Sequence, residues 1–271
     1  MIEALLAALF GLVIGSFLNV CIHRMPRDES VAWPGSHCPV CRHAIAPRDN
    51  IPVLSWILLR GRCRHCFTRI HWRYPLVEAL TGIAFGLAVL TWGPTPAALK
   101  YSLFSALCIG MLFTDLETRI LPDEFTLGGL GAGLVLSVLV PQQSTFLSLF
   151  APSLPAPLMS FADAGAGAAV GSGSFWLVAE AYSRIRGREG LGLGDVKMVA
   201  MLGAFLGITG AMAAILVGCV AGSILGLLWI WYRKQAASQY ELPFGSFLAA
   251  AGLLIAFRGE GLLRWYEQLG P

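Results

Sequence analysis

The sequence predicts an all-α polytopic membrane protein with about eight transmembrane helices and a cytoplasmic zinc-knuckle insert between the first and second. Three observations carry this prediction. Hydrophobic residues make up 56% of the 271 and charged residues only 13%, too few charges to cover the surface of a soluble domain. Apolar runs recur at roughly the 17 to 25 residues that a helix needs to cross a bilayer. Four of the seven cysteines and all five histidines crowd into one polar stretch between His23 and Trp72.

The first apolar run, 2–20, opens Met-Ile-Glu with no basic segment before it and no small-residue cleavage site after Ser16. It is expected to remain as an anchor and not to act as a secretory signal. Further runs lie near 76–93, 97–116, 124–141, 162–183, 196–207, 209–232 and 243–258. The brevity of 196–207 leaves seven spans as the alternative to eight. The expected division is a first transmembrane helix (1–20), an insert (21–75) and a transmembrane bundle (76–271). Between spans, 141–161 has three prolines after Pro141 and no charge. It reads as a loop against the outer membrane surface, with Asp163 capping the helix that follows. Glycines four apart, at Gly129/Gly133, Gly167/Gly171, Gly203/Gly207 and Gly218/Gly222/Gly226, predict closely packed helices. No internal repeat is evident.

The basic residues set the orientation. With the N terminus outside, the segments 21–75, 117–123, 184–197 and 233–242 hold sixteen of the nineteen Lys and Arg, as the positive-inside rule expects. The net charge of +3 is then topological and gives no case for nucleic-acid binding. Membrane lipids are the surroundings this distribution fits.

Within the insert, Cys38-Pro-Val-Cys41 and Cys63-Arg-His-Cys66 form two C-x2-C knuckles. Two such pairs close a tetrahedron of four thiolates around a structural zinc. The alternative, a pair of disulfides, is disfavoured in a reducing cytoplasm. An insert with so few apolar residues draws much of its stability from the metal. Cys21, Cys108 and Cys219 read as packing residues.

The acids carry the chemistry. Asp115, in TDLETRILPD, ends the third span; Asp195, in GLGLGDVK, begins the sixth. Ionisable groups at a membrane boundary are costly and usually functional. Two carboxylates facing one extended peptide make an aspartyl protease, one deprotonating water while the other, protonated, polarises the carbonyl. The Gly-x-Gly-Asp turn leaves backbone open to close approach. Asp123, after Pro122, reads as an N-cap; Lys197 as an ion-pair partner or lipid anchor; Glu78 as a buried polar anchor or a site residue. A proton- or cation-coupled transporter would also explain buried acids. It explains neither the knuckles nor both acids at one face, since transporters bind substrate near the midplane.

The motifs GSFLNVCIHRMP (15–26), the two knuckles, RYPLVEALTG (73–82), DLETRILPD (115–123) and GLGLGDVKM (190–198) follow one another over essentially the whole chain. In this order they resemble the bacterial type 4 prepilin peptidases, bifunctional enzymes of the Gly-x-Gly-Asp aspartyl protease class. His23 stands where many relatives carry tyrosine. The resemblance implies an inner-membrane enzyme that removes the basic leader of prepilins or pseudopilins at the cytoplasmic face. It further implies methylation of the new N-terminal amine by S-adenosylmethionine, with Asp115 and Asp195 as the catalytic pair. A peptidase lacking the methyl transfer is the alternative. The sequence has no Gly-x-Gly-x-x-Gly cradle after a strand. The methyl donor is therefore expected among the first span, the insert and the start of the second span, with Asn19, Arg24 and Glu78 as candidates.

Overall fold

The computed structural model describes residues 1–142, 146–150, 153–187, 192–233 and 243–267. These residues are helical, with eight α-helices and no strand among them: α1 (Ile2–Arg24), α2 (Leu54–Leu58), α3 (Arg73–Trp92), α4 (Pro96–Thr118), α5 (Asp123–Leu139), α6 (Ala156–Arg186), α7 (Leu193–Arg233) and α8 (Phe244–Glu267). Four stretches, Ile2–Arg27, Arg73–Trp92, Pro96–Thr118 and Leu193–Tyr232, are long and apolar enough to cross a membrane by length and composition. The fourth, 40 residues long, contains two of the expected runs. Gly207, at φ 70 and ψ −175, breaks it between 196–207 and 209–232. The runs at 124–141, 162–183 and 243–258 fall on α5, α6 and α8. On α1, Leu5, Leu6, Leu9, Phe10, Val13 and Phe17 are exposed, an arrangement suited to lipid and costly in water.

The chain divides into two compact units, Met1–Gly110 and Met111–Pro271. In the first, α3 runs antiparallel along α1. The approach is close because Gly11 and Gly15 face Thr81, Gly82 and Glu78: a Cβ on Gly15 would lie 2.7 Å from the Glu78 Cα. The insert follows α1 and is built around two turns of one design. Cys38 N–H donates to His43 O and Arg42 N–H to Cys38 O; in the second turn Cys63 N–H donates to Thr68 O and Phe67 N–H to Cys63 O. Arg42 and Phe67 both take a positive φ, 60 and 57. The knuckles are thus a structural repeat that the sequence reading did not register, because only the cysteines and one isoleucine, Ile45 and Ile70, are common to both.

In the second unit α7 is central, packing on α5, α6 and α8. Small residues make those contacts. A Cβ on Gly203 would sit 2.3 Å from the Gly167 carbonyl carbon, and one on Gly133 2.8 Å from the Phe205 ring. Two expectations are corrected here. The stretch 141–161 is not loop throughout: α6 begins at Ala156 and a 3-10 turn covers Phe146–Leu149, whereas 143–145 and 151–152 lie outside the described residues. Asp163 does not cap α6, since it sits two turns inside it. Its carboxylate lies instead beside the backbone N–H groups of Ile208, Leu147 and Phe146, with Oδ2 where a Gly207 side chain would project, at the N-terminus of the helix that restarts after Gly207.

Candidate active site

Asp115 lies on the last turn of α4 and is buried. Its environment is set from α8, whose first N–H groups have no intrahelical acceptor. Ser246 N–H donates to Asp115 Oδ2 at 2.7 Å, and Ser246 Oγ lies 2.8 Å from the same oxygen. The Leu112 carbonyl, 3.1 Å from Ser246 Oγ, is the alternative acceptor for its single proton. The positive end of α8 is thereby aimed at a negative side chain. A side chain at residue 245 would intrude here, because a Cβ on Gly245 would lie 3.3 Å from the Asp115 carboxylate carbon.

Asp195 lies in the first turn of α7, with its N–H donating to Gly192 O at 3.1 Å. Gly194 lets the turn press on Leu121: a Cβ would meet the Leu121 Cβ at 3.2 Å. Gly190 and Leu191 lie outside the described residues. Asp115 and Asp195 line one cavity of about 350 Å³, which Arg119, Asp123, Lys197 and Phe244 also border. Arg119, just past the end of α4, takes a positive φ of 58, and its N–H still bonds to Asp115 O at 3.0 Å.

Asp123 is not a cap. It is the first residue of α5, whose N-cap is Pro122, and its carboxylate receives Lys197 Nζ at 2.7 and 3.0 Å. That also places Lys197, whose partner is Asp123 and not Asp195. The sequence reading missed the segment Pro243-Phe244-Gly245-Ser246. The available signal was a proline followed by a glycine at the start of an apolar span, which marks a helix N-terminus lacking an acidic cap.

In the first unit the Sγ atoms of Cys38, Cys41, Cys63 and Cys66 all lie within 4.8 Å of one another. Cys38 and Cys66 are 3.7 Å apart, which matches the edge of about 3.8 Å for a tetrahedron with metal–sulfur bonds of about 2.3 Å. The backbone N–H groups of Cys66 and His65 draw the Cys63 thiol down to about 7. Cys41 of the same cluster, despite the His43 N–H, is instead pushed up to about 11 by burial and the neighbouring sulfurs; binding a metal requires all four as thiolates. Spaced in this way, the four sulfurs can hold a metal ion. Arg64 reaches Asp49 with two bonds of 2.7 and 2.6 Å and holds that carboxyl below its usual range.

The three residues expected near the methyl donor have different surroundings. Asn19 Nδ2 donates to Tyr74 O at 3.0 Å and Gly15 O at 3.3 Å, and its buried Oδ1 has no partner among the described residues. Arg24 binds the carbonyls of Ser30 at 2.9 Å and Gly35 at 3.4 Å. Glu78 is buried and accepts the Val53 N–H at 2.7 Å.

The described residues thus form an all-helical membrane fold that carries two aspartates at helix ends on one cavity. Residues 9–92 match the model of the Bacterial Peptidase A24 N-terminal domain, and 102–227 match that of the Type IV leader peptidase family. A curated protein named "Prepilin leader peptidase/N-methyltransferase" from Burkholderia pseudomallei (strain 1026b) is 38% identical, covering 93% of this chain and 84% of its own length. Proteins of the same name from Aeromonas hydrophila and Neisseria gonorrhoeae are 35% and 34% identical, each match covering 96% of this chain and 92% of the relative. The chain belongs to the type IV leader peptidase family. No solved structure matches it.

Proposed function

We propose that this protein is a prepilin leader peptidase and N-methyltransferase of the bacterial inner membrane. On this reading it cuts prepilins or pseudopilins at the cytoplasmic face and methylates the new N-terminal residue. The relatives' shared name supports both activities, and the placement of Lys and Arg supports the orientation. The observation that carries the peptidase mechanism is the shared cavity of Asp115 and Asp195, with Asp115 held by Ser246.

The residues suggest a division of labour. Oδ2 of Asp115 has two donors within reach, an arrangement that matches a carboxylate better than a carboxylic acid. Asp115 therefore takes the proton from water, and Asp195, carrying a proton, polarises the scissile carbonyl. The water oxygen bonds to the carbonyl carbon, the C–N bond breaks, and the leaving amine takes up a proton from the pair. The Gly192–Gly194 turn admits the substrate in extended form beside Asp195. An extended segment is required because a helical peptide bond is shielded by its own hydrogen bonds. Asp123 and Lys197 hold the rim and perform no chemistry. The peptidase residues all fall in 76–271, while the four cysteines of 21–75 hold zinc in a structural role. S-adenosylmethionine supplies the methyl group for the amine that cleavage exposes.

The test is purified enzyme in detergent with a synthetic prepilin and S-adenosylmethionine, read by mass spectrometry of the product N terminus. Wild type is expected to release the leader and add one methyl group. Asp115→Asn and Asp195→Asn are each expected to abolish cleavage. Cleavage surviving either substitution would assign the wrong carboxylate.

A further inference from the structure

A second cavity, of about 360 Å³, lies wholly within the first unit, between the knuckles, α2 and the first turns of α3. Its size falls in the range of small-molecule sites, about 300 to 1,000 Å³. Its walls are mostly apolar and aromatic, with Trp56, Tyr74 and a pair of histidines in contact, His43 and His65, whose ring centroids are 3.5 Å apart with planes tilted by 35°. Trp56 is fixed in place, since its Nε1 donates to Ile70 O at 3.1 Å and its ring fills the space where Gly61 has no side chain. One buried acid, Glu78, faces this cavity.

The wall beside Glu78 is strained. Leu54 N–H donates to Pro52 O at 2.6 Å, closing a three-residue γ-turn around Val53. Val53, a β-branched residue, takes φ 62 and ψ −51 there, a conformation such side chains rarely adopt. The bond from Val53 N–H to the Glu78 carboxylate helps to hold it. Neither Asn19 nor Arg24 is part of this wall.

Resting on the methyltransferase reading above, we propose that this cavity binds the adenosyl group of the methyl donor. The flat base would stack on the histidine and tryptophan faces. The ribose hydroxyls would donate to Glu78, the role a buried acid plays in many nucleoside sites. Of the three candidates drawn from the sequence, only Glu78 then touches the donor, and Asn19 and Arg24 tie α1 to the insert and to α3.

The test is calorimetric titration of the full-length enzyme in detergent with S-adenosylhomocysteine. Wild type is expected to bind one equivalent. Glu78→Gln and Trp56→Ala are each expected to weaken binding about tenfold, the effect of one hydrogen bond to a charged group or one stacked ring. Asp195→Asn is expected to bind as wild type does. Bound metal and melting temperature show whether each variant remains folded. Independently, irradiation of wild type with 8-azido-S-adenosylmethionine is expected to label peptides from 43–78. Unchanged affinity in both folded variants, or labelling confined to 111–271, overturns the site while leaving the methyltransferase reading intact. A wild type that binds no donor overturns both.

Discussion

Ser246 holds the most telling contact in the second unit, because its N–H and its hydroxyl both reach one oxygen of Asp115. Ser246→Ala removes the hydroxyl and keeps the N–H. A hydrogen bond to a charged group contributes about 1.5–3 kcal/mol, so kcat for cleavage should fall roughly 10- to 150-fold. KM should stay within about twofold, since the lost contact is to the carboxylate proposed to be catalytic and not to substrate. Ser246→Thr, which keeps the hydroxyl, should restore most of the rate. A kcat for Ser246→Ala equal to wild type would remove Ser246 from the mechanism. Lys197 and Asp123 make a contrasting case. Their pair is substantially exposed, 36% and 57%, and exposed ion pairs contribute about 0–1 kcal/mol. Asp123→Ala should therefore slow cleavage by less than about fivefold. A loss as complete as that expected for Asp195→Asn would make Asp123 a catalyst.

Among the helices, glycine spacing encodes contact distance. Gly203 and Gly131 both sit on apolar helices, but a Cβ at Gly203 would strike α6 backbone at 2.3 Å, whereas one at Gly131 would meet nothing within 4 Å. Gly203→Ala should destabilise the second unit by at least about 1–3 kcal/mol, seen as a lower melting temperature in detergent. Gly131→Ala should melt with wild type. The break in α7 is the other feature at this scale. Gly207 adopts φ 70, and the Asp163 carboxylate occupies the place where a side chain would project. Asp163→Ala removes that carboxylate from the N-terminus of the restarted helix, at a cost of about 0.5–2 kcal/mol. Thermal unfolding of that variant checks the assignment.

For the molecule as a whole, the two compact units imply that metal removal acts on the first. A structural zinc in such a site contributes about 10–16 kcal/mol of binding free energy to folding. Chelation, or Cys38→Ser, should therefore open the arginine-rich stretch 42–69 to trypsin while peptides from 111–233 stay protected. Metal analysis of the untreated protein should give one ion per chain. Equal protection of 42–69 with and without chelator would count against a folding role for the metal.

The eight apolar runs were legible because membrane insertion is decided by local composition, and each run falls on a helix, though α6 begins six residues before its run and α8 continues nine past its own. The four-cysteine cluster was legible because ligand spacing is itself the signal, and the aspartates because acids are rare in such a chain. What the sequence left open depended on long-range contact. Asp123 and Asp163 each precede or enter a helix and look like caps, yet one pairs with a lysine 74 residues away and the other lies at the N-terminus of the helix beyond a break some forty residues on. Ser246 carries no local mark of its role, because its partner lies 131 residues earlier. Local chemistry thus fixed which elements exist and which residue types could react. Only tertiary packing decided which donor meets which carboxylate, because a hydrogen bond is set by the last ångström of approach between segments that the chain order keeps far apart.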